Sequence, residues 1–445
     1  MDVDEVVAAG ATQQVAAMRS GALSARELTV ATLAAVEREN ARLNAVVELL
    51  SDLAFDAAAD ADRRRAEGDD GPLLGVPIAI KNDLDLTGHV TALGSRAITT
   101  AATSDTELVA RIRRAGMVPV ATTTLPELAI YGFTESVAYG ITRNPHHLDH
   151  SPGGSSGGSA ALVGAGAVSA ATASDGAGSV RIPAASCGLV GFKPTHGTMP
   201  SSGGWHGLST QSGLAQRVAD VALYLETLGN SEGLVGGAVA DPKPLRVGVS
   251  TSASAITRAQ PLDSGVRAAL DATASRLDDA GHDVREVSIP YGLDAKVVAS
   301  RYLGGIRDQA DAVDDPAALE KRTRQIARLG RPFGPGSIAR SRKAGDRWGA
   351  AVHDDLGVDI LLTPVMSGPA LPVGRFDGRG GLRTVLGMNS FYPYTVQWNH
   401  AGTPAVSMPV GRTADGLPLA VQLIARRDDD TTLMSLAAWL ERAHA

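Results

Sequence analysis

Two short stretches constrain this chain more than any others: Ser151-Pro-Gly-Gly-Ser-Ser-Gly-Gly-Ser159 and, soon after it, Ser174-Asp-Gly-Ala-Gly-Ser-Val-Arg-Ile-Pro183. Glycine and serine bury little apolar area, and glycine loses the most backbone freedom on ordering, so such runs are not selected for core packing. Glycines instead permit sharp turns and close approach to a ligand, leaving N–H groups free to face a concave site where negative charge develops. The serines add hydroxyls to the same loops.

The remaining sequence must supply a scaffold that holds these loops. At 445 residues, with 44% hydrophobic and 20% charged residues, the chain is globular and long enough for one large α/β body. Aromatics are only 4%, so the core is mostly Ala, Val, Leu and Ile, which suits a sheet covered by closely packed helices. A net charge of −7 without a basic tract argues against nucleic acid as a partner. The Lys and Arg residues between Lys321 and Lys343 read as a solvated helix face. The acidic start, Met1-Asp-Val-Asp-Glu5, lacks the order of a signal peptide, and the apolar run 160–173 is too short to span a bilayer. A cytoplasmic protein with no membrane contact is expected. The lone Cys187 precludes an internal disulfide and reads as a buried, inert thiol. His146, His147 and His150 fit no metal-ligand spacing, so neither metal nor cofactor is expected.

In chain order, helical periodicity covers 16–50, with a capping box at Ser24-Ala-Arg-Glu27. Leu73 to Ile80 reads as a buried strand that delivers Lys81, where a snorkelling strand-end side chain and a desolvated functional amine are both open readings. A helix over 108–115, a strand over 118–121 and a helix over 125–132 follow. The pattern 245–249, 263–281 and 284–289 is β-α-β; residues 291–350 are mostly helical, with Gly330 to Gly336 as a candidate hinge or flap. Strands near 359–364, 405–409 and 419–424 and a terminal helix close the chain.

Taken together, Gly75-Val-Pro-Ile-Ala-Ile-Lys81, Gly153-Gly-Ser-Ser-Gly-Gly-Ser159, Asp175-Gly-Ala-Gly-Ser-Val-Arg-Ile-Pro183 and Gly191-Phe-Lys-Pro-Thr195 resemble the amidase signature family of serine amide hydrolases. Gly402 to Gly411 and Asp415 to Gln422 resemble that family's C-terminal strands. The resemblance implies one α/β domain over 1–445, with a mixed central sheet covered by helices on both faces. Its family-like catalytic core lies at about 70–230 and its variable helical segment at about 290–355.

By the same resemblance Ser179 is the nucleophile, Ser155 is a second serine following a cis peptide bond, and Lys81 is the base. A serine hydroxyl needs such a base, and a lysine serves only when neutral. Gly176, Ala177 and Gly178, with Ser179 itself as a further candidate, would supply oxyanion-hole N–H groups, with Gly154, Ser156, Asp175 and Arg181 as structural support, the last two as an ion pair. Two departures stand out. Ala177 replaces a usual glycine and would strain the loop if its φ were positive. Asn82-Asp83 inverts the family's Asp-then-Asn, with consequences expected only behind the lysine. Tyr131, Phe133, Trp205, Tyr394 and Trp398 are candidate walls of an apolar or aromatic acyl pocket, with core packing as the competing reading.

The function implied is hydrolysis of a small-molecule amide to an acid and ammonia or an amine. Acyl transfer by the same triad, the glutaminase A subunit of a tRNA-dependent amidotransferase, and a catalytically weakened binding protein are the alternatives. A homodimer remains open.

Overall fold

The apolar runs of the middle of the chain become strands buried along their whole length, as befits strands covered on both faces. The computed structural model describes residues 3–201, 203–254, 259–291 and 294–444. Its strands are β1 (Val46–Leu49), β2 (Pro77–Lys81), β3 (Val118–Thr123), β4 (Glu135–Ser136), β5 (Gly140–Ile141), β6 (Ala170–Asp175), β7 (Val190–Lys193), β8 (Thr210–Ala215), β9 (Arg246–Val249), β10 (Asp283–Glu286), β11 (Ile360–Pro364), β12 (Ala405–Arg412) and β13 (Pro418–Ala425). Eleven of them form one sheet in the order β1-β3-β2-β6-β8-β7-β12-β13-β11-β9-β10, while β4 and β5 pair separately. The sheet is mixed. β3, β2 and β6 are parallel neighbours, as are β11, β9 and β10, and the pairs between these groups are antiparallel. Helices flank this single α/β domain, as expected.

Register decides where the chemistry falls. β2 and β6 pair in parallel with Ala79 opposite Ala171, so Lys81 and the Ser174–Asp175 pair leave the sheet at the same end. Ligand sites in open α/β sheets gather at such carboxyl ends of parallel strands.

Around the sheet, the helical run expected over 16–50 divides into helices Ala11–Arg19 and Ala25–Leu43 and strand β1. The break is the Ser24 capping box, whose hydroxyl accepts from the Glu27 N–H while the Glu27 carboxylate accepts from the Ser24 N–H. The helix expected over 125–132 is only a turn, Glu127–Ala129. Pro126 precedes it and both Leu128 and Ala129 are left-handed, at φ 51° and 55°, so no helix propagates. Helices Asp294–Asp311, Lys321–Leu329, Pro335–Leu356 and Gly381–Phe391 cover the carboxyl end of the sheet. The first is tied down by Tyr302 Oη to the Ile130 carbonyl (2.8 Å) and by the Trp205 indole N–H to Gln309 Oε1 (2.7 Å), and the end of the last by Tyr392 Oη to the Gly132 carbonyl (2.9 Å). The Gly330 to Gly336 stretch links two of these helices, with Pro335 as the first residue of the second. Among the described residues no helix is long and apolar enough to cross a membrane.

Candidate active site

Lys81 ends β2 with its side chain fully buried. Its Nζ lies 2.9 Å from Ser155 Oγ, 2.7 Å from Ser174 Oγ and 3.0 Å from Asp83 Oδ2. Burial pushes its pKa below the ordinary lysine value, against the opposing pull first of Asp83 and then of Asp175. This excludes the snorkelling reading. Asp83 touches the amine itself rather than standing behind it, and Ser174 Oγ also donates to Asp83 Oδ2 at 2.5 Å. Asn82, by contrast, is spent on backbone: it donates to the Val90 carbonyl and accepts from the Ala92 N–H.

The peptide bond between Gly154 and Ser155 is cis, as the resemblance implied. Gly154 has no room for a side chain, since a Cβ there would lie 2.7 Å from both the Phe133 nitrogen and the Tyr131 oxygen. Ser156 follows as the residue preceding helix Gly157–Gly164, and its Oγ sits 3.4 Å from the Ser174 N–H and carbonyl, binding the serine loop to the end of β6.

The second loop is built on Asp175. Arg181 donates to both its carboxylate oxygens at 2.9 Å, both side chains being fully buried, and spends its other donors on Thr395, Gln422 and Asn399. Asn399 Nδ2 in turn donates to Asp175 Oδ1 and to the Asp175 carbonyl. Burial alone would raise the Asp175 pKa; the Arg181 charge and these hydrogen bonds outweigh it and hold the carboxyl well below the usual range. The expected ion pair is therefore present, inside a wider network than a pair.

That network corrects the expected set of oxyanion donors. The Gly178 N–H donates to Asp175 Oδ1 at 2.6 Å and is not available to a ligand. Among the described residues, the N–H groups of Gly176, Ala177 and Ser179 have no backbone or side-chain acceptor. The left-handed residue of the loop is Gly178, at φ 120°, while Ala177 has no positive φ. Alanine therefore fits position 177 without strain, and its carbonyl is held by Thr395 Oγ1 at 2.7 Å. Ala177→Gly is expected to leave the rate at Ser179 within about threefold of wild type and to cost about 0.5–1 kcal/mol of stability by loosening the unfolded chain. A tenfold gain in acylation rate would show that the methyl group obstructs the loop.

Ser179 is half-buried, and among the described residues its hydroxyl has no hydrogen-bond partner. It stands between two cavities. One is apolar, about 130 Å³, and is walled by Tyr131, Ile182, Val298, Tyr302, Met388 and Tyr392 among others. The other is a polar cleft of about 550 Å³ containing Ser155, Ser174, Asp83, Asp85 and Gln211. Trp205 lines both, edge-on to Tyr302, from a turn in which Trp205 and His206 are left-handed at φ 53° and 55°.

Of the aromatic candidates, Tyr131 and Trp205 reach the cavities and three do not. Phe133 is stacked behind Tyr131 and against Phe376, Trp398 is fully buried against Trp348, and Tyr394 faces a separate surface pocket near Gln260. Phe133 and Trp398 pack against other rings, and Tyr394 lines a different pocket. Sequence reading missed Ser174, although it is the penultimate residue of β6 beside the Ser179 loop, and Tyr302, which sits in a helix without any motif. A second strand-end lysine, Lys193 on β7, is also fully buried and brought down to about 7 by burial, but its Nζ donates to the Pro194 carbonyl and not to the serines. Cys187 is buried, and burial pushes its thiol up.

A buried lysine amine, two serines and, among the described residues, unpaired N–H groups beside a cavity are the parts of a serine-type amide hydrolase. The sequence pattern of the Amidase family matches residues 27–434. A protein of Mycobacterium tuberculosis assigned as an amidase, AmiB2, is 41% identical over 100% of this chain and 98% of its own length. The A subunit of glutamyl-tRNA(Gln) amidotransferase from Synechococcus sp. is 33% identical over 96% of this chain and 94% of its own length. The solved structure of 6-aminohexanoate cyclic dimer hydrolase with its substrate superposes with a TM-score of 0.85 at 29% identity, over 98% of this chain and 97% of that one. The chain belongs to the amidase signature family and is an amide C–N hydrolase.

Proposed function

We propose that this enzyme hydrolyses a small amide with an apolar or aromatic acyl group through a covalent ester on Ser179, giving a carboxylic acid and an amine or ammonia. The observation that carries the reading is the contact of a fully buried Lys81 Nζ with Ser155 Oγ at 2.9 Å, beside an unpaired Ser179 hydroxyl that faces both cavities. Ser179 Oγ attacks the carbonyl carbon while its proton passes to Ser155, whose own proton passes to neutral Lys81. The oxyanion is held by the N–H groups of Gly176, Ala177 and Ser179. When the C–N bond breaks, the proton returns through Ser155 to the leaving nitrogen, and water then cleaves the ester by the same route in reverse. The reading carries with it a cytoplasmic enzyme acting on small molecules without a cofactor.

Labelling with a small fluorophosphonate, read by intact mass and peptide mapping, tests this without knowledge of the substrate. One adduct per chain is expected on Ser179, absent in Ser179→Ala and slowed in Lys81→Ala. A folded wild type that takes no label, or takes it elsewhere, overturns the assignment. A second reading, the glutamine-hydrolysing subunit of an amidotransferase, is favoured by the Synechococcus relative. It needs a counterion for the amino-acid carboxylate, and no Lys, Arg or His is among the described residues of either cavity. Ammonia release from glutamine at a rate matching that from simple amides, with a co-purifying partner, would restore it.

A further inference from the structure

The two cavities at Ser179 are not equivalent, and the proton path distinguishes them. Ser155 borders the polar cleft and is not part of the apolar cavity, whereas Ala177 borders the apolar one. In the acyl-enzyme reading, on which this inference rests, Ser155 returns a proton to the leaving nitrogen. The nitrogen and whatever it carries therefore lie in the polar cleft, and the acyl group fills the apolar cavity. At about 130 Å³ that cavity is close to the size of one known to hold a benzene ring, so it accepts a ring or a short alkyl chain.

The leaving-group cleft is charged with one sign. Asp83 and Asp85 line it, together with the hydroxyl residues Thr91, Thr100, Ser104 and Ser209, and no cationic side chain is among its described residues. Asp85 is exposed and has no ion-pair or hydrogen-bond partner for its carboxylate among the described residues. Asp83 is matched by Lys81 only while the lysine is protonated. In the form able to accept a proton, Lys81 is neutral and no longer offsets the Asp83 carboxylate, which keeps the Ser174 hydroxyl as a donor but, among the described residues, no cation beside it. The reactive enzyme thus presents two negative charges to the leaving group, in a cleft whose low-dielectric walls strengthen their field.

We propose that the preferred substrates are short-chain or aryl amides of amines that carry a second, positively charged nitrogen, with the acyl group in the apolar cavity and the ammonium beside Asp83 and Asp85. The same polarity disfavours leaving groups that bear a carboxylate.

Three near-isosteric amides test this with the wild-type enzyme: N-butanoylputrescine (cationic), N-butanoylpentylamine (neutral) and N-butanoyl-γ-aminobutyrate (anionic). Each is followed for hydrolysis and for protection of Ser179 from the fluorophosphonate. The expected order in kcat/KM and in protection is cationic, neutral, anionic, with at least about tenfold between the extremes at low salt and less at high salt. Asp85→Lys is expected to invert the ratio of cationic to anionic substrate. Lengthening the acyl chain to dodecanoyl should cost more than tenfold, whereas lengthening the amine should not. Equal rates and protection, a preference for the anion, tolerance of the long acyl chain, or an absence of both turnover and protection while Ser179 still labels would overturn this inference alone. Absence of labelling would overturn it together with the reading beneath it.

Discussion

Replacing Lys81 by Met is expected to lower kcat/KM at neutral pH by about 10³-fold, because in the proposed mechanism it removes the group that takes the proton from the serine pair while keeping an unbranched side chain in the buried space. A purified variant with an unchanged circular dichroism spectrum and residual activity within tenfold of wild type would refute the role. The wild-type pH profile carries the sign of the same argument. Only neutral Lys81 accepts a proton, so activity rises with pH as the lysine titrates, and burial places that limb below the ordinary value of about 10.4. Asp83 favours the protonated amine. Asp83→Asn is therefore expected to move the limb to lower pH, and an unmoved limb in kcat/KM would show that the 3.0 Å contact does not govern the titration.

Arg181→Met should be the most damaging single change to stability among the residues around the site. It strands the Asp175 carboxylate in a fully buried position and also abandons Thr395, Asn399 and Gln422, a loss of about 3–5 kcal/mol by the usual cost of breaking a buried pair. Denaturant unfolding of variant and wild type measures it; a loss below about 1 kcal/mol would mean that Asn399 and the loop N–H groups alone hold Asp175. The pH dependence of this contribution has a definite sign. The Asp175 pKa is depressed on folding, so its stabilisation is complete above the unfolded value of about 3.9 and is lost as pH falls toward the folded one.

How much of this was legible before the structure depended on how local the signal was. The Ser24 capping box is written in four consecutive residues, and it appeared where the sequence placed it. The two glycine-serine loops and the strand ending in Lys81 were equally readable, because each is a contiguous motif. Yet the strand-end lysine signal occurs twice, and composition alone could not separate Lys81 from Lys193; their difference lies in which strands are neighbours in the sheet. The helix expected over 125–132 failed because apolar periodicity says nothing about the left-handed Leu128 and Ala129. Ring content marks Phe133, Tyr394 and Trp398 in the sequence, but it does not tell whether a ring faces this site, another pocket or another ring. Tyr302 was invisible for the opposite reason, since it becomes a wall only when a helix distant in sequence folds over the loops. For Gly178, the sequence identified a glycine of the right loop but not the Asp175 oxygen that takes its N–H.

Trp205 is a partition wall between two compartments, which the proposed mechanism fills with the acyl group on one side and the amine on the other. Any change of its size or tilt resizes both compartments at once, so acyl preference and amine preference cannot drift independently through this position. Directed evolution toward bulkier acids by shrinking Trp205 should therefore produce generalists first, and specialists would arise from residues that serve one compartment only, such as Met388 on one side and Asp85 on the other.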